Sequence, residues 1–188
     1  RIFRATISRG FNYWHVYFTV YEKRRIPETH RNPGSVVGID MGVGDHVIVA
    51  ANPHGDEVMR RGLPTTIVDY DKRIRHLQRK MSRKRGPDKR TKTAPSNRWV
   101  RANNQIRKHY NTMVNVRRDF AAKAAHGLAK NYETVVVEDL NVRAMMVRGG
   151  AYKRGLNRAI AQASFADLRR RITYKTQWNG GVTIVADR

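Results

Sequence analysis

Two short apolar runs, each ending in a carboxylate, constrain most strongly what this chain can fold into. Residues 36–42 have the sequence VVGIDMG, and residues 134–140 have the sequence TVVVEDL. Runs this short, rich in β-branched residues, predict buried strands rather than helices. Because α/β sheets place ligands at strand ends, we expect Asp40 and Glu138 to lie side by side if the two strands are neighbours. Two such carboxylates would form a divalent-metal site.

Apolar residues that alternate with polar ones predict most of the remaining strands. Residues 1–22 show this alternation and predict two strands around a turn at Arg9-Gly10. Residues 35–62 contain three strand-like runs separated by tight turns, which predict an antiparallel meander. A last strand is predicted over Val182–Ala186, after Gly180-Gly181.

Apolar residues at spacings of three and four predict three helices. The first carries its apolar stripe from Ile67 to Met81, and the second begins after Ser96, its predicted N-cap, and runs to about Lys130. Both are strongly basic, and their stripes predict an antiparallel helical pair. A loop rich in Gly and Arg is predicted over 141–155, followed by a third helix over 157–178. The whole pattern predicts an α/β fold with a mixed sheet and flanking helices.

The charge balance predicts a polyanionic partner. The chain has 38 Lys and Arg residues against 15 Asp and Glu residues, a net charge of +23. Nucleic acid is the leading candidate, and an anionic membrane surface is weaker because no segment pairs a basic face with a long apolar face. The absence of cysteine excludes a disulfide framework and a thiolate zinc site within this chain. The first residue is Arg1 and no signal-peptide pattern follows, so we expect the chain to start inside a longer protein.

Like charges repeat along the two basic helices at a spacing that costs helix stability. Between Lys72 and Arg118 the only acid is Asp88. Pairs at i,i+4 such as Arg75 and Arg79 repel each other unless a partner neutralises them, although a solvated helix face is the simpler alternative. We therefore predict phosphate contacts from the cations of this region and of the 141–155 loop, namely Arg75, Arg79, Lys80, Arg83, Lys84, Arg107, Lys108, Arg143, Arg148, Lys153 and Arg154.

The remaining candidates for chemistry are weak. The seven histidines show no metal-type spacing, and no serine has the context of a nucleophile elbow. Asp40 and Glu138 also have a plain alternative, in which the first caps a hairpin and the second caps a helix. Their occurrence on two otherwise apolar strands favours the functional interpretation.

Three sequence blocks, in order, resemble a known family. They are VVGIDMGV at 36–43, VVVEDLNVRAMM at 135–146 and FADLRRRITYKTQWNGGVTIVADR at 165–188. With a basic helical hairpin between the first two, they resemble the RuvC-like nuclease part of the transposon-encoded TnpB (OrfB-type) proteins, which are related to the type V CRISPR effector nucleases. The resemblance implies an RNase H-like (RuvC-like) fold for residues 32–188. It also implies that residues 1–31 are a β-hairpin from the end of a preceding wedge-like β-barrel domain.

The same resemblance implies a function. Members of the family are RNA-guided DNA endonucleases whose guide RNA pairs with target DNA and whose RuvC-like site cuts with Mg²⁺. Asp40 and Glu138 match the acids of the first two family motifs, so the resemblance assigns them as catalytic residues and as ligands of Mg²⁺ or Mn²⁺. It also implies guide RNA and target DNA as partners, no membrane, and action in the cytoplasm of a prokaryotic cell, at the nucleoid.

The chain departs from the family at its end. Family members continue into a cysteine zinc ribbon and a third acidic motif, so Zn²⁺ is expected only beyond this chain. Asp187 precedes the expected position of the third acid and is not assigned to it. Either the sequence is a fragment, or the site is incomplete and the chain is a nuclease-inactive RNA-guided DNA-binding protein.

Two alternatives from other classes explain less of the sequence. An actin- or Hsp70-type ATPase also begins with a GIDxG strand, but it needs a second glycine-rich phosphate loop that we do not find here. A ribosomal-type RNA-binding protein would explain the charge of +23 but not the two strands that end in acids.

Overall fold

The computed structural model describes residues 2–10, 13–147 and 149–186, which form seven strands and five helices. The strands are β1 (Ile2–Arg9), β2 (Trp14–Val20), β3 (Val36–Asp40), β4 (Ile48–Ala51), β5 (Glu57–Arg61), β6 (Thr134–Glu138) and β7 (Val182–Ala186). The helices are α1 (Thr65–Ser82), α2 (Asn97–Asn131), α3 (Val142–Met145), α4 (Ala151–Ala163) and α5 (Phe165–Trp178). The chain forms two compact units, the first of residues 1–25 and 66–115 and the second of residues 26–65 and 116–188.

The first unit contains a hairpin, helix α1 and the part of α2 up to Asn115. Strands β1 and β2 pair antiparallel, and the backbone N–H of Gly10 donates to the carbonyl of Tyr13 at 2.7 Å in the turn between them. The assignment of residues 1–31 to a separate wedge-like domain stays a prediction.

Helices α1 and α2 run antiparallel within the first unit. The ring of Tyr70 contacts that of His109 near the start of α1, with centroids 5.2 Å apart. Beyond the other end of α1, Ser96 donates its backbone N–H to the carbonyl of Arg85 at 3.0 Å. Ser96 is also the N-cap that the sequence predicts, because its Oγ accepts the backbone N–H of Trp99. The apolar stripes are buried, at Ile67 and Ile74 in α1 and at Ala102, Ile106 and Met113 in α2.

The second unit is built on a five-stranded mixed sheet, with strand order β5-β4-β3-β6-β7. Strands β3, β4 and β5 form the predicted antiparallel meander. Strand β6 then pairs parallel with β3, and β7 pairs parallel with β6. The mixed α/β architecture expected from the sequence is confirmed.

Helices cover one face of this sheet. The side chains of Val37, Ile39, Val135 and Val137 are between 0% and 5% exposed and pack in one core cluster. The end of α2 contributes Leu128 and several alanines to that cluster, and α4 and α5 contribute larger residues, namely Ile160, Phe165, Leu168 and Ile172. Small alanines on α2 allow the helix to approach the sheet closely.

The opposite face of the sheet is open, which the apolar strand sequences did not predict. Residues that alternate with the core positions, such as Val36 and Val136, are half-buried. On the edge strand β7, Val182 and Ile184 are 50% and 48% exposed. The strands therefore bury one face rather than two, and Asp40 and Glu138 lie on the open one.

Hydrogen bonds of His30 and Asn32 hold the segment before β3 against the end of α2. His30 is 2% exposed, and its Nε2 lies 3.1 Å from the carbonyl oxygen of Ala129. Its Nδ1 accepts the backbone N–H of Asn32, and the Asn32 side chain donates to the carbonyl of Asn131. The segment that leads into β3 is thus anchored to the end of α2.

The single helix predicted over 157–178 is wrong. The structure has two helices there, α4 and α5, which are separated at Ser164. Ser164 adopts a left-handed conformation with φ 53° and ψ 45°, which ends α4 because its backbone cannot continue the right-handed spiral. The loop predicted over 141–155 is also partly helical, since α3 begins at Val142 and α4 at Ala151. Neither α3 nor α4 ends at a Gly or Pro residue.

We predict that Ser164→Gly raises stability. A left-handed conformation costs a residue with a Cβ about 1–2 kcal/mol, and glycine avoids this cost. Glycine also loses more backbone entropy on folding, which offsets part of the gain. The free energy of unfolding, measured by urea denaturation, should therefore rise by about 0.5–1 kcal/mol. Ser164→Ala removes the same hydroxyl but keeps the Cβ and should be no more stable than wild type. A loss of stability in Ser164→Gly equal to that in Ser164→Ala would contradict the strain argument.

Candidate active site

The structure places Asp40 and Glu138 at the ends of neighbouring parallel strands. Gly38 is opposite Val136 and Ile39 is opposite Val137, so the next pair in this register is Asp40 and Glu138. Neighbouring strands are about 4.8 Å apart, which brings the two acids within reach of one ion. Both lie on the open face, where Asp40 is exposed and Glu138 is half-buried.

The two acids line one cavity on the open face, with a volume of about 680 Å³. Its floor is made by residues of the same face, including Val36, Gly38 and Val136, and Ala186 of β7 lies next to Glu138 in register. The cavity is open to solvent, so the carboxylates bear little desolvation cost. This arrangement leaves room for a large anionic group over the strand ends.

Gly38 lines the same cavity, two residues before Asp40 on β3. A Cβ built on Gly38 would meet only the carbonyl oxygen of Ala51, at 3.9 Å, so the fold itself has space for a side chain there. Gly62 and Gly181 are different. A Cβ at Gly62 would collide with the carbonyl oxygen of Asp45, and a Cβ at Gly181 with that of Glu133. The open space above Gly38 belongs to the cavity and is not required by packing.

Arg60 lies in the same cross-strand row as the acids. Asp40 is opposite Val49, and Val49 is opposite Arg60, which puts Arg60 two strands away, at about 10 Å. Its guanidinium donates to Glu57 at 2.9 Å and lies 3.2 Å from Nδ1 of His46. The hydrogen bond from Arg60 lowers the pKa of Glu57, so this neighbouring carboxylate stays ionised. Sequence reasoning missed Arg60, because its position in this row depends on the register of β4 and β5.

Asp139, which follows Glu138 directly, is engaged elsewhere. Its Oδ1 accepts a hydrogen bond from Arg169 of α5 at 2.8 Å. Asn141, two residues further, accepts the backbone N–H of Ala144 and so caps α3. Of the two adjacent acids at the end of β6, Glu138 faces the cavity and Asp139 makes an ion pair with a helix.

The donor set at the strand ends suits a hard divalent cation. Mg²⁺ takes one or two carboxylates from a protein and completes its shell with water and phosphate oxygens. Within the described ranges, no group of three or more His, Asp or Glu side chains lies close enough together to hold a metal ion. Asp40 and Glu138 could supply the one or two carboxylates of such a site, with water and phosphate oxygens completing the shell of the cation. Asp187 lies outside the described residues.

The predicted cations of the helical pair belong to the first unit. Arg75, Arg79 and Lys80 are on α1, Arg83 and Lys84 follow its end, and Arg107 and Lys108 are on α2. Arg75 forms an ion pair on its own helix, with its Nε 3.0 Å from the carboxylate of Asp71 one turn earlier. The others on and just after α1 extend the basic surface of that helix, and Arg79, Lys80 and Arg83 are exposed.

The predicted cations of the 141–155 region belong to the second unit, as the two acids do. Arg143 is on α3, and Lys153 and Arg154 are in the first turn of α4. Arg148 lies outside the described residues. None of the helices in the described ranges combines the length and the apolar character that a bilayer-spanning segment needs.

Comparisons with known proteins identify the family. The OrfB_IS605 family, described as "Probable transposase", matches residues 18–148, which include both acid-ended strands. The chain therefore belongs to this transposon-encoded, TnpB-type family, and the resemblance seen in the three sequence blocks is confirmed.

Two curated relatives carry the same description. "Putative RNA-guided DNA endonuclease InsQ" of Escherichia coli is 26% identical over 187 residues, which cover 94% of this chain and 42% of the relative. A "Putative RNA-guided DNA endonuclease" of Mycobacterium tuberculosis is 30% identical over 159 residues, which cover 83% of this chain and 32% of the relative. The chain thus spans less than half the length of these relatives.

A solved structure supports the fold. The chain in "Cryo-EM structure of the Cas12f1-sgRNA-target DNA complex" matches with a TM-score of 0.52 at 15% sequence identity. The match covers 94% of this chain and 34% of that chain. At this level of identity the likeness shows a shared fold.

We predict that Gly38→Ala does not destabilise the protein. The new Cβ meets no close neighbour, and alanine loses less backbone entropy than glycine in a strand, so the free energy of unfolding should be unchanged or higher by about 0.5–1 kcal/mol. Gly181→Ala is the matched control, because its Cβ would meet the carbonyl oxygen of Glu133 and should destabilise clearly. Thermal unfolding of both variants compares them. Equal destabilisation of the two would show that Gly38 is required by the fold and not by the cavity.

Proposed function

We propose that this chain is the nuclease core of an RNA-guided DNA endonuclease, and that Asp40 and Glu138 hold the divalent metal that supports cleavage of target DNA. The observation that supports this most strongly is the pairing of the two acids at adjacent strand ends over an open cavity. Family membership and the descriptions of the relatives support it independently. Guide RNA and target DNA are the proposed partners, in the cytoplasm of a prokaryotic cell.

The proposed fold assignment is RNase H-like (RuvC-like) for residues 32–188, with residues 1–31 as the end of a wedge-like domain. The strand order supports it, since three antiparallel strands are followed by two parallel ones on the other side of β3. The first acid then ends the central strand and the second acid ends its parallel neighbour. The likeness to the Cas12f1 chain is consistent with this assignment.

In this proposal, different residues of the chain bind the metal and the phosphodiester backbone. Asp40 and Glu138 supply the carboxylate ligands, and Gly38 lets a phosphate approach the strand ends without obstruction. The cations of the basic surfaces hold the rest of the backbone without reading its sequence, which pairing with the guide would supply. A bound Mg²⁺ or Mn²⁺ would add Lewis-acid stabilisation of the phosphate charge and activation of water.

We predict that Asp40→Ala and Glu138→Ala each lower the rate of target cleavage by the guide-loaded full-length protein at least about 100-fold, because each removes a metal ligand. Binding of target DNA should stay near wild type, since neither change removes a cation. Asp139→Ala is the matched control, because this adjacent acid makes an ion pair with Arg169 and does not face the cavity.

Cleavage and binding are measured in parallel, with Mg²⁺ and with Mn²⁺. Wild-type cleavage in Asp40→Ala or Glu138→Ala would overturn the assignment of that acid. If wild type itself binds guide RNA and target DNA but never cuts, the nuclease-inactive alternative is correct.

We predict that the basic surface formed by Arg79, Lys80 and Arg83, at the C-terminal end of α1, binds phosphate in a salt-dependent way. Replacing Arg79, Lys80 and Arg83 together by Gln should reduce the slope of log K against log salt by roughly 0.9 for each lost contact on duplex DNA. The loss of affinity should be about equal for unrelated sequences, because backbone contacts carry no sequence information. Lys123→Gln is the control, since Lys123 is paired with Asp119 at 2.7 Å. A slope that the triple variant leaves unchanged would identify these residues as a solvated helix face.

A further inference from the structure

A second cavity, of about 590 Å³, opens between α1 and α2 within the first unit. Its polar lining consists of Lys72, Arg73 and His76 from α1 and of Gln105, Lys108 and His109 from α2. The lining therefore holds three permanent cations and two imidazoles and no carboxylate. Of these residues, only Lys108 stands among the cations predicted from the sequence. We refer to this cavity as the interhelical cleft.

The groups of the interhelical cleft are supported by packed neighbours. Ile74 and Ile106, on the turns that also carry cleft residues, are 1% and 5% exposed, so both helices are fixed where the cleft lies. The guanidinium of Arg73 lies over the ring of Tyr70, at 5.6 Å from its centroid. The same ring contacts His109, so Arg73 and His109 are both positioned by Tyr70.

His109 is the group most affected by these surroundings. Burial lowers its pKa, and the charges of Arg73 and Lys108 lower it further. The groups that face it are Tyr70 and Arg73 from α1 and Lys108 from its own helix, and Lys72 and His76 share the same cavity. In the free protein these neighbours favour the neutral imidazole at neutral pH.

Resting on the proposed function, we propose that the interhelical cleft is a discrete binding site for the phosphodiester backbone of a nucleic-acid strand, in which His109 acts as an additional cation once phosphate is bound. Cations contributed by two facing helices can donate hydrogen bonds to the oxygens of a single phosphate from more than one side. Gln105 adds a neutral amide donor to the same lining.

The direction of the pH effect follows from linkage. A bound phosphate cancels the repulsion from Arg73 and Lys108 and stabilises the imidazolium, so it raises the pKa of His109 toward or above its ordinary value. Binding then takes up a proton, and affinity rises as the pH falls through the imidazole range. A cleft that held only Lys and Arg would show no such dependence there.

The first experiment follows the imidazole C–H signals of His76 and His109 by NMR through a pH titration of the chain, alone and with an oligothymidylate. The oligonucleotide is expected to raise the midpoint of the His109 titration by about one pH unit. A midpoint that does not move overturns the proposal. Inorganic phosphate that produces the same shift at the same phosphate concentration would overturn the assignment to a nucleic-acid strand and indicate a site for free phosphate.

The second experiment measures the affinity for the same oligonucleotide at about pH 6 and about pH 8, on either side of the imidazole range. Wild type is expected to bind roughly 3- to 10-fold more tightly at the lower pH, as one pKa unit corresponds to a factor of ten. His76→Gln combined with His109→Gln should keep the affinity at the higher pH and lose this gain. His54→Gln, on the β4–β5 turn, is the histidine control and should retain it.

The outcomes separate this proposal from the proposed function. If the double histidine variant keeps the full pH dependence, the cleft proposal fails, whereas cleavage that depends on Asp40 and Glu138 would still stand. If the acid variants cut normally but the His109 signal moves with the oligonucleotide, the catalytic assignment fails and the cleft stands.

Discussion

The parallel pairing of β3 with β6 is the interaction on which the rest of the second unit depends. Gly38 opposite Val136 and Ile39 opposite Val137 fix a register that places Val37, Ile39, Val135 and Val137 together in the core. The same register brings the two terminal acids into adjacent positions on the other face. A slip of one residue would turn an acid toward the aliphatic core, so core packing and site geometry are enforced by the same hydrogen-bonded ladder.

The two faces of the sheet have different roles. Helices α2, α4 and α5 cover one face with aliphatic side chains, which supplies the stability of the unit. The other face remains open, and Asp40 and Glu138 lie on it at the rim of the cavity. Local ion pairs, such as Arg169 with Asp139 and Arg60 with Glu57, engage the neighbouring acids and leave Asp40 and Glu138 facing the cavity.

The sequence predicted the elements whose signals are local. Alternation and β-branching located the strands, Ser96 marked the start of α2 through its capping hydroxyl, and apolar spacing located both helices of the basic pair. The break between α4 and α5 was missed because Ser164 is neither glycine nor proline, although it adopts a left-handed conformation between two buried core residues, Ala163 and Phe165. The short helix α3 was missed because its cap, Asn141, lies within a stretch dominated by Arg and Gly signals.

What the sequence alone determined is the chemistry available: two strands that end in acids, a large excess of cations and a set of blocks that identifies the family. Those features are carried by residue type and spacing, which are visible without coordinates. Only the tertiary structure decided which groups meet. It placed Arg60 in the row of the acids, paired Asp139 with Arg169, left one sheet face open and assembled the interhelical cleft from two helices. These juxtapositions depend on strand register and helix packing between residues distant in sequence, and no local pattern encodes that information.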